Sequence, residues 1–440
     1  MIFRFVDERF HTARAKGEQR NDRRVGKRES AHIDELCKCV FLHVAHKFPV
    51  PALSKQDVQH KLYDCGIHIH FVMYGTIILM GFFSHIFSSD KNKSVLGVDI
   101  GSSSLKVVQL RKEHGIIVLE TYGELALGPY ANVAVGQATN LPADTIAKTL
   151  TDLLREASIT TADSGISIPS VRSLLVFVEL PYRENADEQR TIIELEARKY
   201  IPVPIEEVQL NWFILPGGKA LEQQADSPRT VQVLLVAVHK DEITLLENVA
   251  QNAGLSASFF EIEIFSTIRA VVDEPVKPIM IIDIGSAYTK MYVVEQNVVG
   301  SSHSISHGGE DVTRAIATIK HVKTEQAELI KKSGGFDDTK DTLMHTVLEN
   351  VYSEIFTEAK RVLTQFETTY NRAVSTVILT GGGGVAKGLV QYAKTFFAVD
   401  TRVADPFAKT KAPEFMRSTL KEIGPEFSVA VGLALRKLED

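Results

Sequence analysis

Two segments of this 440-residue chain place the same residue types at the same spacing, 184 positions apart. The first runs Leu96-Gly-Val-Asp99-Ile-Gly101-Ser-Ser-Ser-Leu-Lys106-Val-Val, the second Ile281-Ile-Asp283-Ile-Gly285-Ser-Ala-Tyr-Thr289-Lys290-Met-Tyr-Val-Val. Each reads as a buried strand, a tight Gly/Ser turn and a second strand. Glycine lets the backbone approach a phosphate closely, successive turn N–H groups point at its oxygens, and serine hydroxyls add donors. An aspartate at the strand end can hold Mg2+ through water, because that ion keeps much of its hydration shell. A single copy is explained as well by an ordinary hairpin whose Asp and Gly only make the turn. Two copies with Asp and Gly in the same relative places point instead to duplicated halves facing one ligand.

A third element fits the same site. Val377-Ile-Leu-Thr380-Gly381-Gly-Gly-Gly384-Val385 is an apolar strand ending in four glycines, and it opens a helix with Leu389, Val390, Ala393 and Phe397 on one side. A helix start of this kind favours anions and lets a nucleotide lie against bare backbone, the alternative being a flexible turn.

Taken together, Asp-x-Gly with Lys seven residues after the Asp, a second Asp-x-Gly with Thr six residues after it, and a later strand-Gly-Gly-Gly-helix form a specific combination. It resembles the two phosphate motifs and the adenosine motif of the actin, Hsp70 and sugar-kinase superfamily, over residues 95 to 435. The resemblance implies an α/β, actin-like two-domain fold with ATP and Mg2+ as cofactors. It implies that Asp99, Gly101, Ser102, Ser103 and Lys106 form the first phosphate hairpin and Asp283, Gly285 and Ser286 the second. Gly381, Gly382, Gly383 and Gly384 would contact adenosine, and Asp99 and Asp283 would serve the metal. Actin has Asp where Ser286 stands, a departure that bears on metal binding and hydrolysis. No catalytic base is readable, so ATP binding with slow or no hydrolysis is expected.

These motifs need elements to hold them. The run Leu343 to Tyr370 carries apolar residues at Val347, Val351, Ile355, Val362, Phe366 and Tyr370, a helical stripe suited to packing on a sheet. Its Lys360 and Arg361 resemble the helix that lines the adenine pocket in Hsp70-like proteins, and a solvated basic face explains them equally. After the first motif come a helix over Leu141 to Ala157 and a strand and turn over Gly165 to Ser170. Residues Val171 to Ile262 then intervene, with strands at Leu174 to Leu180, Val208 to Leu215 and Thr230 to Val238. A helix begins near Asn185, with Glu188 as its capping-box-like partner, and stops at Pro202; another spans Asp241 to Ala253. That is enough for a separate α/β subdomain.

Leu180-Pro181, Glu194-Leu-Glu196-Ala-Arg-Lys199-Tyr200-Ile201-Pro202-Val-Pro204-Ile-Glu206-Glu207-Val208 and the stretch Met80 to Leu110 closely resemble the PilM family. The resemblance implies that the insert is the extra subdomain shared with FtsA, replacing one actin subdomain. It implies an ATP-binding cytoplasmic scaffold, peripheral to the inner membrane through partners. That scaffold would bind the N-terminal peptide of PilN and work with other type IV pilus inner-membrane assembly proteins; self-association stays open. The alternatives are an FtsA-like division protein and a small-molecule kinase. FtsA carries a membrane-binding tail, whereas Phe427 to Asp440 reads here as a last core helix.

Composition bounds the remainder. Net charge −6 and pI about 6.2 give no reason to expect nucleic acid. All three cysteines and seven of the fourteen histidines lie in residues 1 to 79, which hold 13 Lys and Arg against 9 Asp and Glu, while the remaining residues carry 36 against 46. The break marks residues 1–79 as a non-native or disordered extension, with the working chain starting at Met80. Residues 80–94 then form a short amphipathic segment and linker, 95–170 the first half, 171–262 the insert and 263–440 the second half. The spacing Cys37-Lys-Cys39 departs from zinc motifs, and the apolar run Phe71 to Phe83 is short of the roughly 20 residues needed to cross a bilayer.

Overall fold

The computed structural model describes residues 93–215, 229–273, 277–336 and 341–439. The expectations for residues 1–79, the Met80 start and the run Phe71 to Phe83 lie outside the described residues.

The chain opens with β1 (Ser94–Ile100), β2 (Ser104–Glu113) and β3 (Ile116–Ala126), then α1 (Ala143–Glu156) and β4 (Asp163–Ile168). An insert follows: β5 (Ser173–Pro181), α2 (Ala186–Ala197), β6 (Val208–Ile214) and β7 (Thr230–His239). The chain then returns through α3 (Lys240–Asn252), β8 (Ser256–Ile262) and α4 (Glu263–Val271). The second part comprises β9 (Ile279–Ile284), β10 (Thr289–Glu295), β11 (Val298–Ile305), α5 (Gly309–Lys320), α6 (Thr324–Ser333) and α7 (Thr342–Tyr370). It continues with β12 (Thr376–Thr380), α8 (Leu389–Phe397), β13 (Asp400–Val403), α9 (Arg417–Ile423) and α10 (Ser428–Glu439).

Two five-stranded sheets repeat one plan, in the orders β3-β2-β1-β4-β8 and β11-β10-β9-β12-β13. In each, an antiparallel meander is extended by parallel strands returning through helices. The central strands β1 and β9 are apolar runs, with Val95, Leu96, Val98, Met280, Ile281 and Ile282 fully buried, as strands covered on both faces require. The stripe on α7 behaves as its period predicts: Val347, Ile355, Val362 and Phe366 enter the core of the second sheet and Val351 and Tyr370 pack at its margin. This duplicated architecture is the actin-like α/β fold.

The boundaries differ from those expected. The insert is an antiparallel sheet of order β5-β7-β6 with α2 over a core of Val178, Leu180, Ile193, Ala197, Val233 and Leu235, and it ends at His239. Within 171–262, therefore, only Ser173–His239 forms the separate unit: β8 pairs in parallel with β4 and α3 packs on α1. Likewise α10 lies across β1, β2, β4 and α4, so residues 263–440 do not form one half. Strand and helix periodicity mark an element's type, not the sheet it joins, and so the expected boundaries assigned β8, α3, α4 and α10 to the wrong parts.

Candidate functional site

The two Asp-x-Gly segments are the tight turns between the first two strands of each sheet. Gly101 N–H donates to Ser104 O at 3.0 Å in the first, and Gly285 N–H to Tyr288 O at 2.9 Å in the second. Register pairs Asp99 with Lys106 across β1 and β2, and Asp283 with Lys290 across β9 and β10. The duplication thus extends to a lysine directly opposite each aspartate, in the second hairpin one position past Thr289.

Asp99 is buried and accepts from Ser167 Oγ at 3.0 Å, while Ser167 accepts from Ile100 N–H at 3.1 Å. Burial pushes the Asp99 carboxyl up to about 6; Lys106, Lys290 and the Ser167 hydroxyl oppose that rise and Glu263 adds to it. Lys106 Nζ lies 2.6 Å from Ser104 Oγ and 3.1 Å from Glu124 Oε1. Burial works against its charge, but Glu124, Asp99 and Glu426 outweigh it and hold the ammonium above its ordinary value.

Two acidic residues that motif reading missed complete the centre. Glu263 opens α4 and accepts at Oε1 from Ser170 N–H (2.7 Å) and Ser170 Oγ (2.9 Å). Its Oε2 lies 2.8 Å from Lys290 Nζ, which is also 3.2 Å from Asp283 Oδ2. Burial disfavours the Lys290 charge, yet Asp283, Glu263 and Asp99 raise its pKa far above the ordinary lysine value. Glu426 sits near Lys106 and the glycine loop, and burial followed by Glu124 pushes its carboxyl up. An acid in the first turn of a helix that follows a strand was the available signal for Glu263. Glu426, on a short 3-10 turn, had none.

The glycine loop reaches the second hairpin. Gly381 has φ +77° and its Cα faces Asp283 Oδ1 and Ile284 O so closely that a side chain would overlap them. Gly382–Val385 forms a 3-10 turn, with Gly383 O accepting from Tyr352 Oη of α7 at 2.8 Å. Helix α8 begins only at Leu389, so the four glycines precede it as a separate turn and are not its first turn.

The segment between β3 and α1 joins the two hairpins. Thr139 N–H donates to Ser102 O (2.8 Å) and Leu127 N–H to Ser103 O (2.8 Å). On the other side Ser286 Oγ donates to Gly136 O at 2.7 Å and Ala138 N–H to Glu310 Oε2 at 3.2 Å.

Lys360 and Arg361 are not brought to this centre. Lys360 Nζ lies over the Phe396 ring at 5.6 Å, and Arg361 pairs with Glu358 at 2.9 Å and contacts His303. Tyr352, which touches the glycine loop, is eight residues earlier on α7, roughly 12 Å of helix away. Both side chains line a surface groove of about 620 Å³ with Thr357, Thr364 and Phe396.

The arrangement offers two backbone turns, two partly buried ammonium groups and a side-chain-free glycine turn, a donor set suited to phosphates and a nucleoside. A divalent ion at Asp283 fits it poorly, because Lys290 already supplies the cation between Asp283 and Glu263.

The cell division protein FtsA of Pseudomonas aeruginosa is 23% identical over 393 residues, which are 80% of this chain and 91% of that protein. Among solved structures, a PilM-PilN type IV pilus biogenesis complex matches with a TM-score of 0.66 at 25% identity, covering 79% of this chain and 99% of that one. Residues 97–438 match the profile of the family described as type IV pilus assembly protein PilM, and the chain belongs to that family.

Proposed function

We propose that the protein binds ATP between the Asp99 and Asp283 hairpins and acts as a scaffold in type IV pilus assembly that holds the N-terminal peptide of a PilN-type partner. The observation that carries the nucleotide reading is the paired register, Asp99 with Lys106 and Asp283 with Lys290, repeated at the same place in two sheets of one topology. The turns at Gly101–Ser103 and Gly285–Ser286 and the Lys106 ammonium would hold phosphates, and Gly381–Gly384 the adenosine. ATP would bring the negative charge that these turns and ammonium groups are suited to hold; the chemistry asked of these residues is binding. Slow or absent turnover is expected because both Glu263 carboxylate oxygens are already engaged, Oε1 by Ser170 and Oε2 by Lys290, and are not free to position an attacking water.

The partner reading is supported by the family and by the likeness to the PilM-PilN complex. Attachment to the inner membrane would then come through the partner. On the insert, Leu195 and Tyr200 are 60% and 43% exposed, whereas Ile201 is 8% exposed and belongs to its core. A labelled peptide from the PilN N-terminus should bind in the micromolar range, as expected for a short segment that orders on binding. Leu195→Ala and Tyr200→Ala should weaken it about tenfold while the far-ultraviolet dichroism is unchanged. Absence of binding by the unaltered chain, with and without ATP, removes the partner reading.

A further inference from the structure

The two hairpins share spacing and register, yet their lysines serve different acids. Lys106 turns to Ser104 and Glu124, on the rim of its own sheet. Lys290 turns onto the shared face of Asp283, its partner in register, and Glu263, which opens α4 directly after the last strand of the first sheet. Lys290 and Asp283 are 14% and 9% exposed at their side chains, so solvent and salt screen this contact little.

Asp283 is, with Asp99, one of the two residues whose place in the motif marks it for a metal. Mg2+ demands oxygens at about 2.0–2.1 Å in near-octahedral array and binds through one or two carboxylates plus phosphate. At Asp283 the two available carboxylates are already bridged by an ammonium at 2.8 Å and 3.2 Å, which offsets one of their two charges and occupies the position between them that a divalent ion would need. An ammonium has three N–H donors; Glu263 and Asp283 take two, and one remains for a phosphate oxygen.

We infer that Lys290 is the resident cation of this site, standing where a divalent ion would sit at Asp283 and Glu263, so that the chain binds the nucleotide's phosphates through Lys290 and Lys106 without a metal. The inference rests on the nucleotide reading above, and its test separates the two. The full chain is titrated calorimetrically with ATP, once in excess EDTA and once in excess Mg2+. The affinities should agree within about threefold, less than the loss of one charge-assisted contact. Lys290→Met should bind about tenfold more weakly in EDTA, with Mg2+ restoring the affinity because Asp283 and Glu263 are released to hold a hydrated ion. Lys290→Arg, which keeps the charge, should remain insensitive to EDTA. If the unaltered chain loses more than about tenfold in EDTA, the inference fails and the nucleotide reading stands. If it binds no ATP in either condition, the nucleotide reading fails and takes the inference with it. Should Lys290→Met not fold, the unaltered chain and Lys290→Arg still decide the matter.

Discussion

The residue with the most distinctive chemistry is Asp99. Its carboxyl is pushed up to about 6 by burial, against 3.8 ordinarily, so between those values the folded chain holds a proton that the unfolded chain has lost. Stability from this group is therefore fully present below about 4 and is lost as pH rises through about 6, by on the order of 3 kcal/mol at most. Asp99→Asn removes that loss. Urea unfolding of the two proteins from pH 5 to 7.5 should show the variant gaining on the unaltered chain as pH rises; a constant difference would mean that Asp99 ionises freely in the fold. That Asp99, Gly101, Asp283 and Gly285 form paired turns was legible, because a turn is local and its residues are neighbours in sequence. Lys290 was visible but unassigned, since its role depends on what stands across the strand and on Glu263, 27 residues away in the chain. For Lys360 and Arg361 the resemblance pointed to the adenine pocket. On α7 each helical turn carries a residue about 5.4 Å further from the glycine loop, a displacement that no residue type records.

At the scale of elements, local signals were reliable where the physics is local. Asn185 was expected to start a helix, and it does: Asn185 Oδ1 accepts from the N–H groups of Asp187 and Glu188, which satisfies two backbone donors that α2 cannot. Asn185→Ala should lower the stability of the protein by about 1 kcal/mol, read as a shift of the urea midpoint with an unchanged slope. Because α2 covers the β5-β7-β6 sheet, the fluorescence of Trp212, the single tryptophan, should report that loss. If Trp212 and far-ultraviolet dichroism give different midpoints in the variant, the insert unfolds by itself before the two large sheets. The end of the insert was not legible. Strand β8 and helix α3 carry ordinary strand and helix patterns, and only the pairing of Gly165 with Phe259 and Ile166 with Phe260 assigns them to the first sheet.

At the scale of the whole molecule, the sheets are tied together by the end of the chain. Helix α10 follows the second sheet in sequence but lies on the first, and two contacts fix it there. Glu261, fully buried, is bound by Arg269 at 2.7 Å and by Arg436 of α10 at 3.1 Å, and Arg436 also lies 4.2 Å from the Phe259 ring. Gly432 lies so close to the backbone of Ser266 on α4 that a side chain there would overlap Ser266 O and C. Because the obstacle is main chain in a helix, no rotamer change relieves it; α4 and α10 must separate. Separation would pull Arg436 from Glu261, and a buried carboxylate that loses a partner is costly. Gly432→Ala should therefore destabilise by about 3 kcal/mol or more, the upper end for overpacking, although alanine favours a helix over glycine by about 1 kcal/mol. The measurement is urea unfolding followed by far-ultraviolet dichroism. A variant as stable as the unaltered chain would show that α10 can shift without cost and that it does not hold the two halves in register. A large loss that also weakens ATP binding would place α10 among the elements that set the distance between the hairpins, since β1, on which α10 packs, carries Asp99.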